Sequence, residues 1–224
     1  MPLPWRVLAG TLATGGVSIG ASFFYMTHDI QFVPLSSSDP IFLSIYHKKS
    51  NPNGNPTIRD LHVKRVPLSK IDPTLLEHPQ KLLERYCGGV WAGGGFTPQR
   101  LALAWFDRDE STSQLWSRSE LIQSEYTVGT DIVGNFEVID RSKESILIRG
   151  GDRTSNQGLR PLDGLIEVTV HIEKEQDVAE FGFKSLFFQG VGTTDQLPMP
   201  GPAIWLHEQY AKALLRSGVQ HVLK

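Results

Sequence analysis

Hydrophobic and polar positions alternate most regularly in the last third of the chain. From Leu165 to Glu173, Ile166, Val168, Val170 and Ile172 interleave with Glu167, Thr169, His171 and Glu173, a period of two that predicts a half-buried strand. A second, aromatic-rich strand is predicted from Val178 to about Gln189, with Ala179, Phe181, Phe183, Ser185 and Phe187 on one face. The polar run Lys174 to Asp177 closes the two strands into an antiparallel hairpin. Pro198, Pro200 and Pro202 then forbid regular structure, and a helix is predicted over Ala203 to Leu223. At about 100° per residue this helix gathers Glu208, Gln209, Lys212, Arg216 and Gln220 on one side. Ile204, Leu206, Tyr210, Ala211, Leu214, Gly218 and Val222 form the other side, with His207 and His221 inside the apolar stripe. Strand, strand, break and amphipathic helix is the order of an α+β domain in which an antiparallel sheet curves around a long C-terminal helix and encloses an apolar pocket.

Upstream, the pattern is less regular. Ile41 to Tyr46 reads as a helical turn, and Asn51 to Pro56 as a loop with strong turn chemistry. Leu61, Val63 and Val66 lie in a strand-like run that ends at Pro67. Ser69 to Tyr86 is helical but divided by Pro73 and Pro79 into two short helices. Gly88, Gly89 and Gly93 to Gly95 surround Val90, Trp91 and Ala92, so the backbone there bends sharply or approaches another element closely. Leu101 to Phe106 is an apolar, strand-compatible run, and Leu115 to Leu121 resembles a short surface helix. Tyr126 to Asp140 and Ser145 to Gly150 read as a hairpin pair.

Val7 to Met26 contains no charged residue and is long enough to cross a hydrocarbon core. Gly10, Gly15, Gly16 and Gly20 dilute its hydrophobicity, which leaves three readings: a single-pass anchor, a cleaved targeting segment, or an extension upstream of a start at Met26. The domain division is therefore residues 1–28 as an anchor or targeting segment and residues 29–224 as a ligand-pocket domain. The localisation is membrane in the anchor reading and cytoplasmic otherwise.

The rest of the composition removes function classes. With 224 residues, 40% of them hydrophobic, the chain suits one domain with a substantial core. A net charge of −2 and the lack of a basic run interleaved with aromatics argue against nucleic acid as a partner. The single cysteine, Cys87, excludes an intrachain disulfide and a cysteine-based zinc site. No metal-ligand spacing is present. Gly16-Val17-Ser18-Ile19-Gly20 matches a nucleophile elbow only on paper, because it lies in the uncharged segment rather than between a strand and a soluble helix. The glycines at 93–95 lack a P-loop lysine.

Two groups of residues remain as candidate chemistry. His207 either is a satisfied core histidine or points into a pocket beside Tyr210, where an imidazole could move a proton. Glu167 and His171 share a strand face and stand about 13 Å apart from the rise per residue. If that face lines the pocket they are an acid/base pair; if it faces outward they are the polar side of an ordinary strand. Arg149, Asp152, Arg153, Arg160 and Asp163 flank one loop, either as a salt-bridge network or as a rim that orients an acidic or carbonyl-bearing ligand. His207, Tyr210, Glu167 and His171 are thus the candidate catalytic residues. Arg149, Asp152, Arg160 and Phe183 are the candidate ligand contacts.

Several short stretches carry a family resemblance. They are Ser38-Asp39-Pro40-Ile41-Phe42, Asn51-Pro52 with Asn55-Pro56, Gly129-Thr130 with Phe136-Glu137-Val138, and Arg149-Gly150-Gly151-Asp152. Arg160 with Asp163-Gly164-Leu165, and Phe187-Phe188-Gln189-Gly190 ahead of Leu206-His207, complete the set. From about Thr27 onward the chain resembles fungal proteins of START-like (SRPBCC, polyketide cyclase/dehydrase-like) architecture, some of them components of secondary-metabolite pathways. The resemblance implies a helix-grip fold around a small hydrophobic molecule and no cofactor. It also implies either a cyclase, isomerase or dehydratase acting on a biosynthetic intermediate, or a non-enzymatic lipid or polyketide carrier. It transfers no catalytic set and no oligomeric state.

Overall fold

A computed structural model of the chain describes residues 25–106, 108 and 113–224. The uncharged Val7 to Met26 segment lies outside the described residues except for its last two. Among the described residues, no helix is long and apolar enough to cross a membrane.

In chain order the strands are β1 (Gln31–Phe32), β2 (Thr57–Pro67), β3 (Gln114–Leu115), β4 (Asp131–Ile132), β5 (Phe136–Arg141), β6 (Ser145–Gly150), β7 (Asp163–Glu173) and β8 (Val178–Phe188). The helices are α1 (Pro40–Leu43), α2 (Ile45–Ser50), α3 (Pro73–Leu76), α4 (Pro79–Ala92), α5 (Thr97–Phe106), α6 (Arg118–Gln123) and α7 (Gly201–Gln220).

The eight strands form one curved sheet in the order β1-β2-β8-β7-β6-β5-β4-β3, antiparallel throughout except for the β3/β4 pair. Its centre is the predicted hairpin. β7 and β8 pair over their whole length, from Asp163 opposite Phe188 to Glu173 opposite Val178. A single 3-10 turn at Lys174–Gln176 closes it, with Asp177 left-handed at φ 56°. β2 extends β8 on its other edge, from Thr57 opposite Phe188 to Pro67 opposite Val178.

Inward side chains of the sheet, among them Ile146, Ile148, Ile166, Val168, Phe181 and Phe183, build the main core against α4. That helix supplies Leu82, Leu83, Tyr86, Cys87, Val90 and Trp91, all essentially without solvent exposure. α7 packs along α4 and reaches β2 and β8, with Ala211, Leu214, Leu215 and Val219 buried. The sheet is thus covered by two helices, α4 deeply and α7 beside it, where the sequence pattern assigned that place to the C-terminal helix alone. The C-terminal half of α4, Tyr86 to Ala92, is buried on every side, so that half has no polar face from which a stripe could be read. On the opposite face, Leu35 and Ile41 cover a smaller cluster formed by Leu147, Leu165, Leu186 and Phe188.

The glycine-rich stretch does approach its neighbours closely. A Cβ on Gly89 would lie 2.7 Å from His221 Cβ, and one on Gly218 would lie 2.5 Å from Tyr86 Cε2. These two positions let α4 and α7 meet.

Two sequence expectations are corrected. Leu101 to Phe106 is helix, not strand: the Leu-Ala-Leu-Ala-Trp run has strong helix formers and no β-branched residue. The Thr97 hydroxyl ties the first turn of this helix to the end of α4 by donating to Gly93 O at 3.0 Å. The expected strand over Tyr126 to Asp140 shrinks to β4 and β5, because Tyr126, Gly129, Val133 and Gly134 all take positive φ and interrupt the extended chain.

Candidate functional site

A cavity of about 610 Å³ lies between the inner face of the sheet and the helices. α7 contributes a stripe at helical spacing, Ala203, Leu206, His207, Tyr210 and Leu214. Phe183 and Phe187 of β8 and Ile166 of β7 form the floor, and Trp91 of α4 and Phe136 of β5 form the far wall. Leu162 and Met199 belong to the loops at the rim. The lining is apolar apart from Gln99, Asn135, His207 and Tyr210. This volume and this ratio of apolar wall to polar points are those of a small-molecule site.

His207 is fixed by residues of two strands. β2 and β8 pair so that Asp60 stands directly opposite Ser185 on the inner face. The His207 Nε2 lies 2.9 Å from Asp60 Oδ2 and 2.9 Å from Ser185 Oγ, and Ser185 donates to the same carboxylate oxygen at 2.9 Å. The Phe187 ring meets the imidazole edge-on at 4.9 Å between centroids.

Asp60 is 1% exposed. Burial alone would raise its pKa, but the hydrogen bond from His207 and the nearby His62 outweigh burial and hold the carboxyl at about 2. An ionised carboxylate at Nε2 makes that nitrogen the protonated one. Both contacts use Nε2, which leaves Nδ1 outside the Asp60–Ser185 cluster.

The trio is not a nucleophilic triad. In a triad the carboxylate and the hydroxyl engage opposite ring nitrogens, whereas here both engage Nε2. Ser185 is fully buried, and its proton is already given to Asp60.

His62 is fully buried on the other side of Asp60, its Nδ1 3.3 Å from Oδ1 but without hydrogen-bond alignment. The Phe32 ring meets it edge-on at 5.7 Å. Asp60 is therefore bracketed by two imidazoles.

Tyr210 donates its hydroxyl to Gln99 Oε1 at 2.7 Å, and burial raises its pKa, so it stays protonated. Asn135 lines the cavity with its Oδ1 buried and without a hydrogen-bond partner among the described residues.

Of the sequence candidates, His207, Tyr210 and Phe183 come together at this cavity. Glu167 and His171 do not. Ile166, Val168 and Val170 take the inner face of β7, and strand alternation turns Glu167 and His171 outward. Glu167 pairs with Lys184 at 2.8 Å, which also binds Asp39, and His171 meets Glu144 at 3.4 Å in solvent.

Arg149, Asp152 and Arg160 do not line the cavity either. Arg149 makes a bidentate pair with the fully buried Asp163, at 3.0 and 2.6 Å, and donates to Gly158 O. Arg160 spends its guanidinium on the carbonyls of Gly150, Arg153 and Asn156, and burial lowers its pKa. Asp152 accepts from the Asn156 side chain and the Arg153 backbone, and the Asn156 bond is the main reason its pKa is lowered. This network ties down the β6–β7 loop, whose Gly151 and Leu162 do reach the cavity.

Sequence reasoning missed Asp60, Ser185, Gln99 and Asn135. The sequence carries little signal for Asp60, because its strand face places Asp60, His62 and Lys64 between Ile58 and Val66 and does not read as an inner face. Among the described residues, no three His, Cys, Asp or Glu side chains converge as a metal site.

No protein-family model, curated protein or solved structure matches this chain.

Proposed function

We propose that the protein binds a hydrophobic small molecule in this cavity and processes it without a cofactor, by cyclisation, isomerisation or dehydration. The observation that carries this reading is His207, a wall residue of an apolar cavity whose Nε2 is held by a buried, ionised Asp60. Asp60 fixes the ring orientation and stabilises the imidazolium that forms when Nδ1 takes a proton. An acidic C–H next to a carbonyl, or a hydroxyl about to leave as water, supplies the chemistry for which one positioned acid/base group suffices. Tyr210, kept protonated, is the orienting hydroxyl. The curved antiparallel sheet and the long C-terminal helix are compatible with a helix-grip, START-like reading of the fold, while the place in fungal secondary metabolism rests on the sequence resemblance alone.

A second reading, a carrier for a lipid or polyketide, is favoured by one observation: Tyr210 and Gln99 satisfy each other rather than standing open to a ligand.

The test uses an organic extract of cells lacking the gene, incubated with wild-type or His207→Gln protein and followed by mass spectrometry. Conversion of one apolar metabolite to an isomer, or to a product lighter by one water, with wild type alone supports the enzyme. Retention of a metabolite by both proteins without conversion assigns the carrier, and neither outcome leaves the pocket without a role.

A further inference from the structure

We infer that the outer face of α5 and the first turn of α7 dock on the surface of a lipid bilayer, so that the mouth of the cavity opens against the membrane. The inference rests on the reading of the cavity as the site of a hydrophobic molecule, and it names the phase from which that molecule is drawn.

α5 is inside out for a helix of a water-facing domain. None of its ten residues is buried, and Leu103 and Ala104 are the two that pack against the main core. On the other side Trp105 and Phe106 are 86% and 81% exposed, and Leu101 is exposed beside them. Pro98 and Ala102, both exposed, complete that face at helical spacing. The three polar side chains of the helix are all engaged by the protein: Thr97 on Gly93 O, Gln99 on Tyr210, and Arg100 on Trp116 O. The outer face is left wholly apolar.

This face borders the cavity mouth. Leu206 lines the cavity and is nevertheless 63% exposed, so the cavity opens beside it, and Trp205 next to it is exposed as well. The Gln99–Tyr210 bond joins α5 to α7 at the same wall. Leu101, Trp105, Phe106, Trp205 and Leu206 together show on the order of 600 Å² of apolar surface, the size of patch that marks an interaction site rather than scattered single residues.

Two observations select a bilayer as the occupant. Protein interfaces pair polar groups at about one hydrogen bond per 100–200 Å², and the outer face of α5 offers no donor or acceptor. The membrane interface needs none from it and is where Trp side chains gather. At ten residues α5 is about 15 Å long, too short to span, so it lies in the plane of the surface. The second observation is the chain ahead of the fold. Val7 to Met26 carries no charge, and Arg216 of α7 holds the Met26 carbonyl. An uncharged segment of spanning length is therefore attached at the helix that carries Trp205 and Leu206, about 15 Å along its axis from Leu206.

Insertion depth at α5 tests this in the full chain, whatever residues 1–24 do. The buried Cys87 does not compete for a thiol dye, so an environment-sensitive fluorophore is placed on Ala102→Cys, on the outer face, or on Lys143→Cys. Lys143 is exposed at the other end of β6 from the cavity residue Gly151. Each protein is mixed with phosphatidylcholine vesicles whose acyl chains carry bromine, a contact quencher. The expected result is quenching at position 102 and none at 143, insensitive to salt, and lost about tenfold in affinity when Trp105→Asp and Phe106→Asp are added at an unchanged thermal midpoint. A dye at 102 that stays unquenched overturns the inference, whether the protein remains free or is held on the vesicles by residues 1–24 alone. A concentration-dependent dimer that the two Asp substitutions dissolve also overturns it, because it gives the face to a second copy. Quenching at 102 in a protein whose cavity takes up no N-phenyl-1-naphthylamine upholds the docking surface and defeats the cavity reading instead.

Discussion

Asp60 and His207 meet from opposite layers of the fold, the carboxylate on an inner position of β2 and the imidazole on the first half of α7, with Oδ2 and Nε2 2.9 Å apart. The contact couples the packing of the helix on the sheet to the orientation of the one titratable base in the cavity wall. Substitutions on either side should therefore separate structural from chemical roles.

His207→Gln keeps a side-chain N–H for Asp60 but removes the imidazole lone pair. The expected outcome is a folded protein with turnover reduced about 10²-fold or more, measured together with the thermal midpoint on one preparation. Unchanged turnover in a folded variant would remove His207 from the chemistry. A loss of about 1–3 kcal/mol with activity per folded molecule retained would make it a core histidine only.

Asp60 also sets an acid limit. Its pKa is about 2 in the folded protein against the ordinary value of 3.8, so folding favours the ionised form. Its contribution is complete above the ordinary carboxylate range and is lost as pH falls through about 2, amounting to about 2 kcal/mol. Denaturant unfolding of wild type and Asp60→Asn across this range should show the difference between them shrinking toward low pH. A difference independent of pH would contradict the assignment.

Arg149→Met should cost about 3–5 kcal/mol, since it leaves the fully buried Asp163 charged and unpaired. Asp163→Leu combined with Arg149→Met should recover most of that loss. Binding of an apolar probe per folded molecule should be unchanged in the double variant, because the pair lies outside the cavity; a binding defect there would return Arg149 to the ligand site.

Gly218→Ala puts a methyl group 2.5 Å from the ring of Tyr86, which is fully buried and pinned by its hydroxyl bond to Gly182 O. Chemical denaturation should register a loss of about 1–3 kcal/mol from overpacking between α4 and α7. Ala at this position without cost would mean that the two helices are not in the close contact described.

The parts of this fold that could be read from sequence are those where one face is apolar and the other polar. Ile166, Val168 and Val170 against Glu167, Thr169 and His171 define β7, and the inner face of β8 correctly joins Phe183 and Ser185. The same alternation defeats the catalytic reading of Glu167 and His171 once the apolar set takes the inner side. β2 is harder because Leu61 and Val63 lie on one face and Ile58 and Val66 on the other, so periodicity does not reveal which face is inner, and Asp60 stays hidden. Asn135 depends on a turn with two left-handed residues, one of them a valine that no propensity argument would put there. The charges at Arg149, Asp152 and Arg160 were visible as a cluster, but only the structure separates a loop tied to its own carbonyls and carboxylates from a ligand rim.

The account stands most directly on the cavity being the ligand site. Fluorescence titration with the neutral apolar dye N-phenyl-1-naphthylamine, compared between wild type and Ala203→Trp, measures this. Ala203 lines the cavity on the first turn of α7, and an indole there fills it. Saturable one-to-one binding by wild type, weakened about tenfold or more in the variant at an unchanged thermal midpoint, is the predicted result. Equal binding by both proteins, or none by wild type, would contradict it.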